Sequence, residues 1–216
     1  MFKIKAILFD NDGTVVDTLK PILTSFEYML NKVLGHCTQE DIDKFKTLIG
    51  LPSYDQFKQY TNDEDKIQQM LDTYRAHNDT IVYEMSKNFE GLPQVLEQLK
   101  AQGYYLGIVT SKRHDVCAKG LKALGIDQYF EYIQGPDDWH IHKPNPGALT
   151  YACEQIGCDP SEVMYVGDST YDIEAGNGAG CVTCAVLWGV FPREKLEASN
   201  PNYVISKPSQ LLDLVK

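Results

Sequence analysis

ILFDNDGTVVDT, residues 7–18, begins as an apolar run of β-type residues and ends in two aspartates, Asp10 and Asp12, with Gly13 directly behind them. In extended chain, residues two apart point to the same side, so both carboxylates can face one reacting group. Gly13 permits a sharp turn away from them. Two carboxylates in one pocket do not share one environment: a carboxylate against a cation stays ionised and can act as a nucleophile, while its neighbour is pushed toward the protonated form and can act as an acid.

Working outward, short apolar runs recur at 4–9, 104–109, 129–133, 163–166, 182–187 and 203–205, with helical patterns at 93–102, 113–124, 146–157, 171–179 and 208–215. Strands alternating with helices imply right-handed crossovers, hence a doubly wound α/β core with a mainly parallel sheet. One segment breaks the alternation. Between Asp17 and Met85 there is no strand-like run, only amphipathic patterns at 21–34, 39–49 and 64–84, with Pro21 suited to a first helical turn. The expected organisation is an α/β core built from 1–16 and 86–216, with a helical domain, 17–85, inserted after the first strand. Ligands of open α/β sheets bind outside the carboxyl ends of the strands, so this insertion would sit over the site as a lid. Gly50-Leu51-Pro52 interrupts its helical pattern and is expected either to present a turn to substrate, making Gly50 a candidate contact, or merely to connect two helices.

The carboxyl ends of the predicted strands carry chemistry. The second delivers Thr110, Ser111 and Lys112, the fourth delivers Asp168 and Asp172 in YVGDSTYD, and HIHKPNP delivers Lys143 after the third. Asp10, Asp168 and Asp172 brought together repel at about 4 kcal/mol per pair at about 4 Å in an effective dielectric of about 20. A hard divalent cation with oxygen ligands, Mg2+, would relieve this and bridge to a substrate phosphate. Lys143 adds a second positive charge. The Thr110 hydroxyl and the Ser111 N–H would donate to the oxygens of a transferring phosphoryl group.

Bulk properties narrow the partners. The chain has 216 residues, 43% hydrophobic and 23% charged, which is ordinary for a folded protein. A net charge of −10 disfavours nucleic acid and anionic membrane surfaces. No apolar stretch reaches the length of a membrane span, and the N-terminal MFKIKAILFDND does not read as a signal peptide, so a cytoplasmic location is expected. The six cysteines are scattered rather than arranged as a disulfide framework. Cys181 and Cys184 have CxxC spacing, but in a strand residues three apart face opposite sides, so buried free thiols are expected.

DNDGT at 10–14, Thr110 after its apolar run, Lys143 in KPNP and GDSTYD at 167–172 resemble, in order, the four motifs of the haloacid dehalogenase-like hydrolases. The resemblance implies a Rossmann-like core in which Asp10 is the nucleophile that becomes an aspartyl-phosphate, and Asp12 is the acid/base. It implies Mg2+ held by Asp10, Asp168 and the backbone carbonyl of Asp12, with Asp172 supporting the metal's water shell or Lys143. Thr110, Ser111 and Lys143 match the phosphate grip. The helical insertion resembles the family's small cap, whose closure excludes water and sets substrate choice. EGLPQVLEQLKAQGYYLGIVTSK (90–112) and GDSTYDIEAGNGAG (167–180) are most similar to phosphoglycolate phosphatases, implying a small phosphorylated metabolite such as 2-phosphoglycolate as substrate.

Other readings use the same motifs. β-Phosphoglucomutase-like transfer and pyrophosphatase activity remain alternatives, although VVDTLKPILTSFEYML (15–30) lacks the cap histidine that such mutases tend to carry. Dehalogenating members lack a carboxylate at the position of Asp12. A receiver-like phospho-acceptor signalling domain also groups acids, a Thr/Ser and a Lys around magnesium, but is shorter and has no insertion after its first strand. A catalytically silent binding module is the remaining option, against which stands the complete motif set. Asp17 and Thr18 are expected to cap the first inserted helix, Asp137 and Asp138 to start a turn, and Lys112 to begin the next helix. His140 and His142 either line the pocket or lie on a solvated loop, and without a third ligand they make no zinc site.

Overall fold

Alternate residues of β1 (Ala6–Phe9) feed two separate cores: Ile7 and Phe9 pack on one face of the sheet, Ala6 and Leu8 on the other. The strand is central in the computed structural model, which describes residues 3–215. Residues 1, 2 and 216, at the ends of the expected core ranges, lie outside the described residues. Five further strands, β4 (Tyr105–Val109), β5 (Tyr132–Gln134), β6 (Val163–Gly167), β7 (Val182–Val186) and β8 (Tyr203–Ile205), join β1 in one sheet, while the short β2 (Val16–Asp17) and β3 (Lys87–Asn88) pair separately with each other. The order is β5-β4-β1-β6-β7-β8 and every pairing is parallel.

The chain runs outward from β1 through β4 to β5, then returns to β6 on the other side of β1. The strand order therefore reverses at β1, and the crevice of such a switch point is where open α/β sheets bind ligands. On the Ile7 face lie α5 (Leu92–Ala101), α6 (His114–Ala123) and, near the C-terminus, α10 (Leu211–Leu214), through Leu96, Leu99, Cys117, Leu121 and Leu211. On the Leu8 face lie α7 (Gly147–Ile156) and α8 (Thr170–Ala179), through Leu149, Ala152, Cys153 and Ala175. Each fully buried Leu, Ile, Val or Phe contributes about 1.5–3 kcal/mol of transfer free energy. The doubly wound, mainly parallel α/β class expected from the sequence is the fold observed.

Between β2 and β3 the chain forms α1 (Leu19–Val33), α2 (Gln39–Lys46), α3 (Ser53–Phe57) and α4 (Glu64–Met85). These helices have their own apolar cluster, with Phe26 stacked on Phe45 at 3.8 Å and Ile67, Met70 and Leu71 of α4 closing it. The chain leaves for this segment through β2 and returns through β3, which pair antiparallel as a two-rung ribbon, Val16 with Asn88 and Asp17 with Lys87.

Several local expectations are corrected. The expected strand at 129–133 pairs only as Tyr132–Gln134, because Tyr129 and Phe130 turn into the core, Phe130 edge-on to Phe9 at 6.2 Å. The expected caps of α1 are not made. Asp17 is a ribbon residue, and Thr18, at φ −114° and ψ 5°, lacks the extended backbone that lets a hydroxyl reach the first turn. Its Oγ1 is buried without a partner. α3 and α9 (Arg193–Ala198) are too short to carry a periodic signal. All six cysteines are free, although Cys37 and Cys158 are only half-buried. Cys181 precedes β7, with Sγ 3.9 Å from Cys153, while Cys184 packs on the opposite face. Among the described residues no helix is long and apolar enough to cross a membrane.

Candidate active site

The carboxyl ends of β1, β4 and β6 converge on one crevice. Asp10 follows β1, Thr110 follows β4 and Asp168 follows β6, each buried. Lys143, from the segment between β5 and α7, reaches the same point and is 3% exposed. Its ammonium donates to Asp10 Oδ1 (2.8 Å), Asp172 Oδ1 (2.7 Å) and the Tyr165 hydroxyl (2.9 Å), so all three N–H bonds are used. Tyr165 in turn donates to the Val109 carbonyl (2.8 Å), tying Lys143 to the end of β4.

Burial disfavours charge on Lys143, yet Asp10 and Asp172 outweigh it and hold the ammonium protonated well above the usual lysine range. For Asp10, burial pushes the carboxyl up to about 7, with Lys143 pulling against it. Burial likewise raises Asp168 well above the usual carboxylate range, reinforced by Asp172 and Asp10. Oxygens of Asp10, Asp168 and Asp172 lie within 4.8 Å of one another.

Each acid has a different second engagement. Asp168 Oδ1 accepts from Thr14 Oγ1 (3.1 Å) and Oδ2 from the Val190 N–H (2.9 Å), which fixes its plane. Asp172 is the third residue of α8 and makes a reciprocal cap with Ser169 while also pairing with Lys143, so it both caps and serves the cluster. No hydrogen bond occupies Asp10 Oδ2 among the described residues, which leaves that oxygen available to a cation or to phosphorus. The donor set is hard oxygen, crowded and buried, which fits a divalent cation of the Mg2+ class.

Asp12 points elsewhere than the cluster. Its carboxylate accepts from Lys112 Nζ at 2.9 and 3.2 Å and from Asn11 Nδ2 at 3.1 Å. This corrects the expectation for Lys112: α6 begins only at His114, and the lysine side chain crosses the crevice to a half-buried partner. Thr110 Oγ1 accepts from the Lys112 N–H (3.2 Å), leaving its own hydrogen free to donate. Ser111 Oγ donates to the Gly50 carbonyl (2.6 Å), so the interruption between α2 and α3 does reach the site.

A cavity of about 190 Å³ lies between sheet and helices, lined by Asp10, Asp12, Gly50, Thr110 and Ser111 from the predicted set. A larger open groove of about 700 Å³ between α1 and α2 is lined by none of the motif residues except the neighbouring Asp17, and the chemistry is not there. His142 borders a small recess beside Lys143, whereas His140 is exposed and rests against Trp139 at 4.4 Å. Asp137 and Asp138 do sit in a turn, and their carboxylates also accept from His114 at the start of α6.

Sequence reasoning missed Thr14, Tyr165 and Val190. Thr14 lies inside the opening stretch, and a hydroxyl in the turn directly behind Asp10 and Asp12 was a usable signal; Tyr165 and the Val190 amide had none. Two glycines make room for Asp168: a Cβ at Gly13 would stand 2.4 Å from Asp168 Oδ2, and one at Gly189 2.2 Å from it. Gly13 also has φ +84°. Gly13→Ala is therefore expected to lose about 1–3 kcal/mol of stability, measured by urea unfolding, together with most activity, because the displaced atom is a carboxylate oxygen of the cluster.

Similarity agrees with this geometry. The chain is 37% identical over 213 residues to pyrophosphatase PpaX of Bacillus velezensis, covering 98% of this chain and 96% of that protein. Among solved structures, a "predicted phosphoglycolate phosphatase" from Haemophilus somnus 129PT superposes with a TM-score of 0.89 at 28% identity, over 100% of both chains. A haloacid dehalogenase-like family hydrolase from Streptococcus pneumoniae does so at 0.86 and 25% identity, over 99% of both. The sequence profile of haloacid dehalogenase-like hydrolases matches residues 7–186, a span that holds Asp10, Thr110, Lys143, Asp168 and Asp172, and the chain belongs to that family.

Proposed function

We propose that this hydrolase is a Mg2+-dependent phosphatase acting on pyrophosphate through an aspartyl-phosphate on Asp10. The observation that carries the reading is the division of Asp10: Oδ1 is held by Lys143 at 2.8 Å while Oδ2 carries no hydrogen bond among the described residues, and oxygens of the Asp10 and Asp168 carboxylates lie within 4.8 Å of each other. Mg2+, bound through Asp10, Asp168 and the Asp12 backbone carbonyl, would supply positive charge for the phosphoryl oxygens.

The protein's own residues do the rest. Asp10 Oδ2 attacks phosphorus, the bond from phosphorus to the departing oxygen breaks, and Asp12 gives that oxygen a proton. Water then attacks the aspartyl-phosphate, Asp12 takes its proton back, and phosphate leaves with Asp10 restored. The Thr110 hydroxyl and the Ser111 N–H, which has no partner among the described residues, donate to the phosphoryl oxygens, and the Lys143 ammonium, with its three N–H bonds directed at Asp10, Asp172 and Tyr165, adds positive charge beside them. Residues 17–85 act as a cap domain that excludes water, with Gly50 carried to the phosphate grip by its bond to Ser111.

Pyrophosphate is favoured by the full-length likeness to PpaX and by a cavity of about 190 Å³ that suits a small ligand. A second reading, 2-phosphoglycolate, is favoured by the likeness to the Haemophilus somnus structure. The deciding experiment is phosphate release from both, and from sugar phosphates and nucleotides, with and without Mg2+. Excess EDTA is expected to abolish release, and full activity in EDTA would defeat the proposal. Protons and metal compete for the same raised carboxyls, so the half-saturating Mg2+ concentration is expected to climb by up to about tenfold per pH unit below about pH 7.

A further inference from the structure

Three cationic side chains line the cavity in front of Asp10: Lys112, Arg113 and Arg75. Lys112 is taken by Asp12 at 2.9 Å, and Arg113 by Asp79 at 3.3 Å and Asp115 at 3.2 Å. Arg75 has no ion pair or hydrogen bond among the described residues. The carboxylate one helical turn further along α4 is Asp79, a natural i,i+4 partner, yet that carboxylate turns to Arg113 across the crevice. The wall around Arg75 is fixed: the Tyr74 ring stands edge-on to Phe57 at 5.4 Å, and Asn78 Nδ2 donates to the buried Ser25 hydroxyl at 3.2 Å.

A guanidinium left unmatched at a cavity wall, in a chain of net charge −10, is set up for an anion that arrives from outside. It comes from the helical side of the cavity, whereas Asp10 and Thr110 come from the sheet. The phosphorus under attack belongs at the sheet, so what meets the helical side is the part of the substrate that departs.

We infer that Arg75 is the specificity-determining residue for the leaving group, and that substrates carry there a second anionic group, a phosphate or a carboxylate. The inference rests on the proposed phosphatase reading and adds the charge requirement. Sugars and alcohols joined to phosphate without a second charge leave Arg75 unmatched and are poor substrates.

The test compares wild type, Arg75→Gln and Arg75→Lys with Mg2+ on pyrophosphate, 2-phosphoglycolate and 2-hydroxyethyl phosphate, the last replacing the carboxylate by a hydroxymethyl group. Arg75→Gln is expected to lower kcat/KM by about 10- to 100-fold on whichever anionic substrate the wild type prefers, chiefly through KM. On 2-hydroxyethyl phosphate it should change less than about twofold, and Arg75→Lys should restore part of the loss. Binding of the non-hydrolysable imidodiphosphate, followed by calorimetry, should weaken in step if the second anion is phosphate. Preference for pyrophosphate over phosphoglycolate identifies phosphate as that anion, and the reverse identifies carboxylate. An equal loss on all three substrates, or none, overturns the inference while leaving the phosphatase reading standing. A wild type that hydrolyses none of them overturns both.

Discussion

An Asp10→Asn protein is expected to release phosphate at least about 10⁴-fold more slowly than the wild type while remaining folded. The amide has the size of the carboxylate but cannot form the acyl-phosphate. Its effect on the fold is small because Lys143 keeps Asp172 and Tyr165 as partners, and because one of three mutually repelling acids is removed. Acid-quenched wild type turning over labelled substrate should carry a covalent phosphoryl group on Asp10, and the variant none. Retained turnover in the variant would eliminate the covalent route.

Lys143→Met is expected to hurt both activity and stability. Losing a fixed cation beside the phosphoryl oxygens should cost about 10²- to 10³-fold in kcat. The same change leaves Asp10 and Asp172 buried with no ammonium between them, at about 3–5 kcal/mol in urea unfolding. The pH dependence has a definite direction. Burial already raises the Asp10 carboxyl to about 7, far above its value in an unfolded chain, and removing Lys143 raises it further. The folded variant then binds protons more readily than the unfolded one, so its stability should increase as pH falls from about 8 toward 4. A deficit that stays constant across that range, with kcat unchanged, would remove Lys143 from its assigned place.

Much of the fold was legible because the sheet repeats one simple pattern. Runs such as ILF, YLGIV and VMYV are apolar on both faces, as strands covered on both sides must be, and the helices between them are amphipathic. Asp10, Thr110, Lys143, Asp168 and Asp172 could be gathered from sequence since strand ends in a parallel sheet all open on the same edge. The receiver-like reading fails on the same architecture, with four helices following the first strand, and on family membership. What escaped were side chains whose direction depends on packing. Lys112 looks like the first residue of a helix until Asp12 is seen opposite it. Thr18 has the right type for a cap but the wrong backbone. Arg75 is one of many charged residues along α4, and only the pairing of its neighbours singles it out.

The two-rung ribbon of β2 and β3 carries a consequence for how such a protein can change over time. Departure and return are stapled together at Val16–Asn88 and Asp17–Lys87, so nothing between those rungs is needed to set the register of the main sheet. A helical segment of another length or sequence could be exchanged there, with the aspartates at the strand ends undisturbed. Bond-breaking chemistry and choice of substrate would thus be inherited as separable modules, one free to diversify while the other stays put.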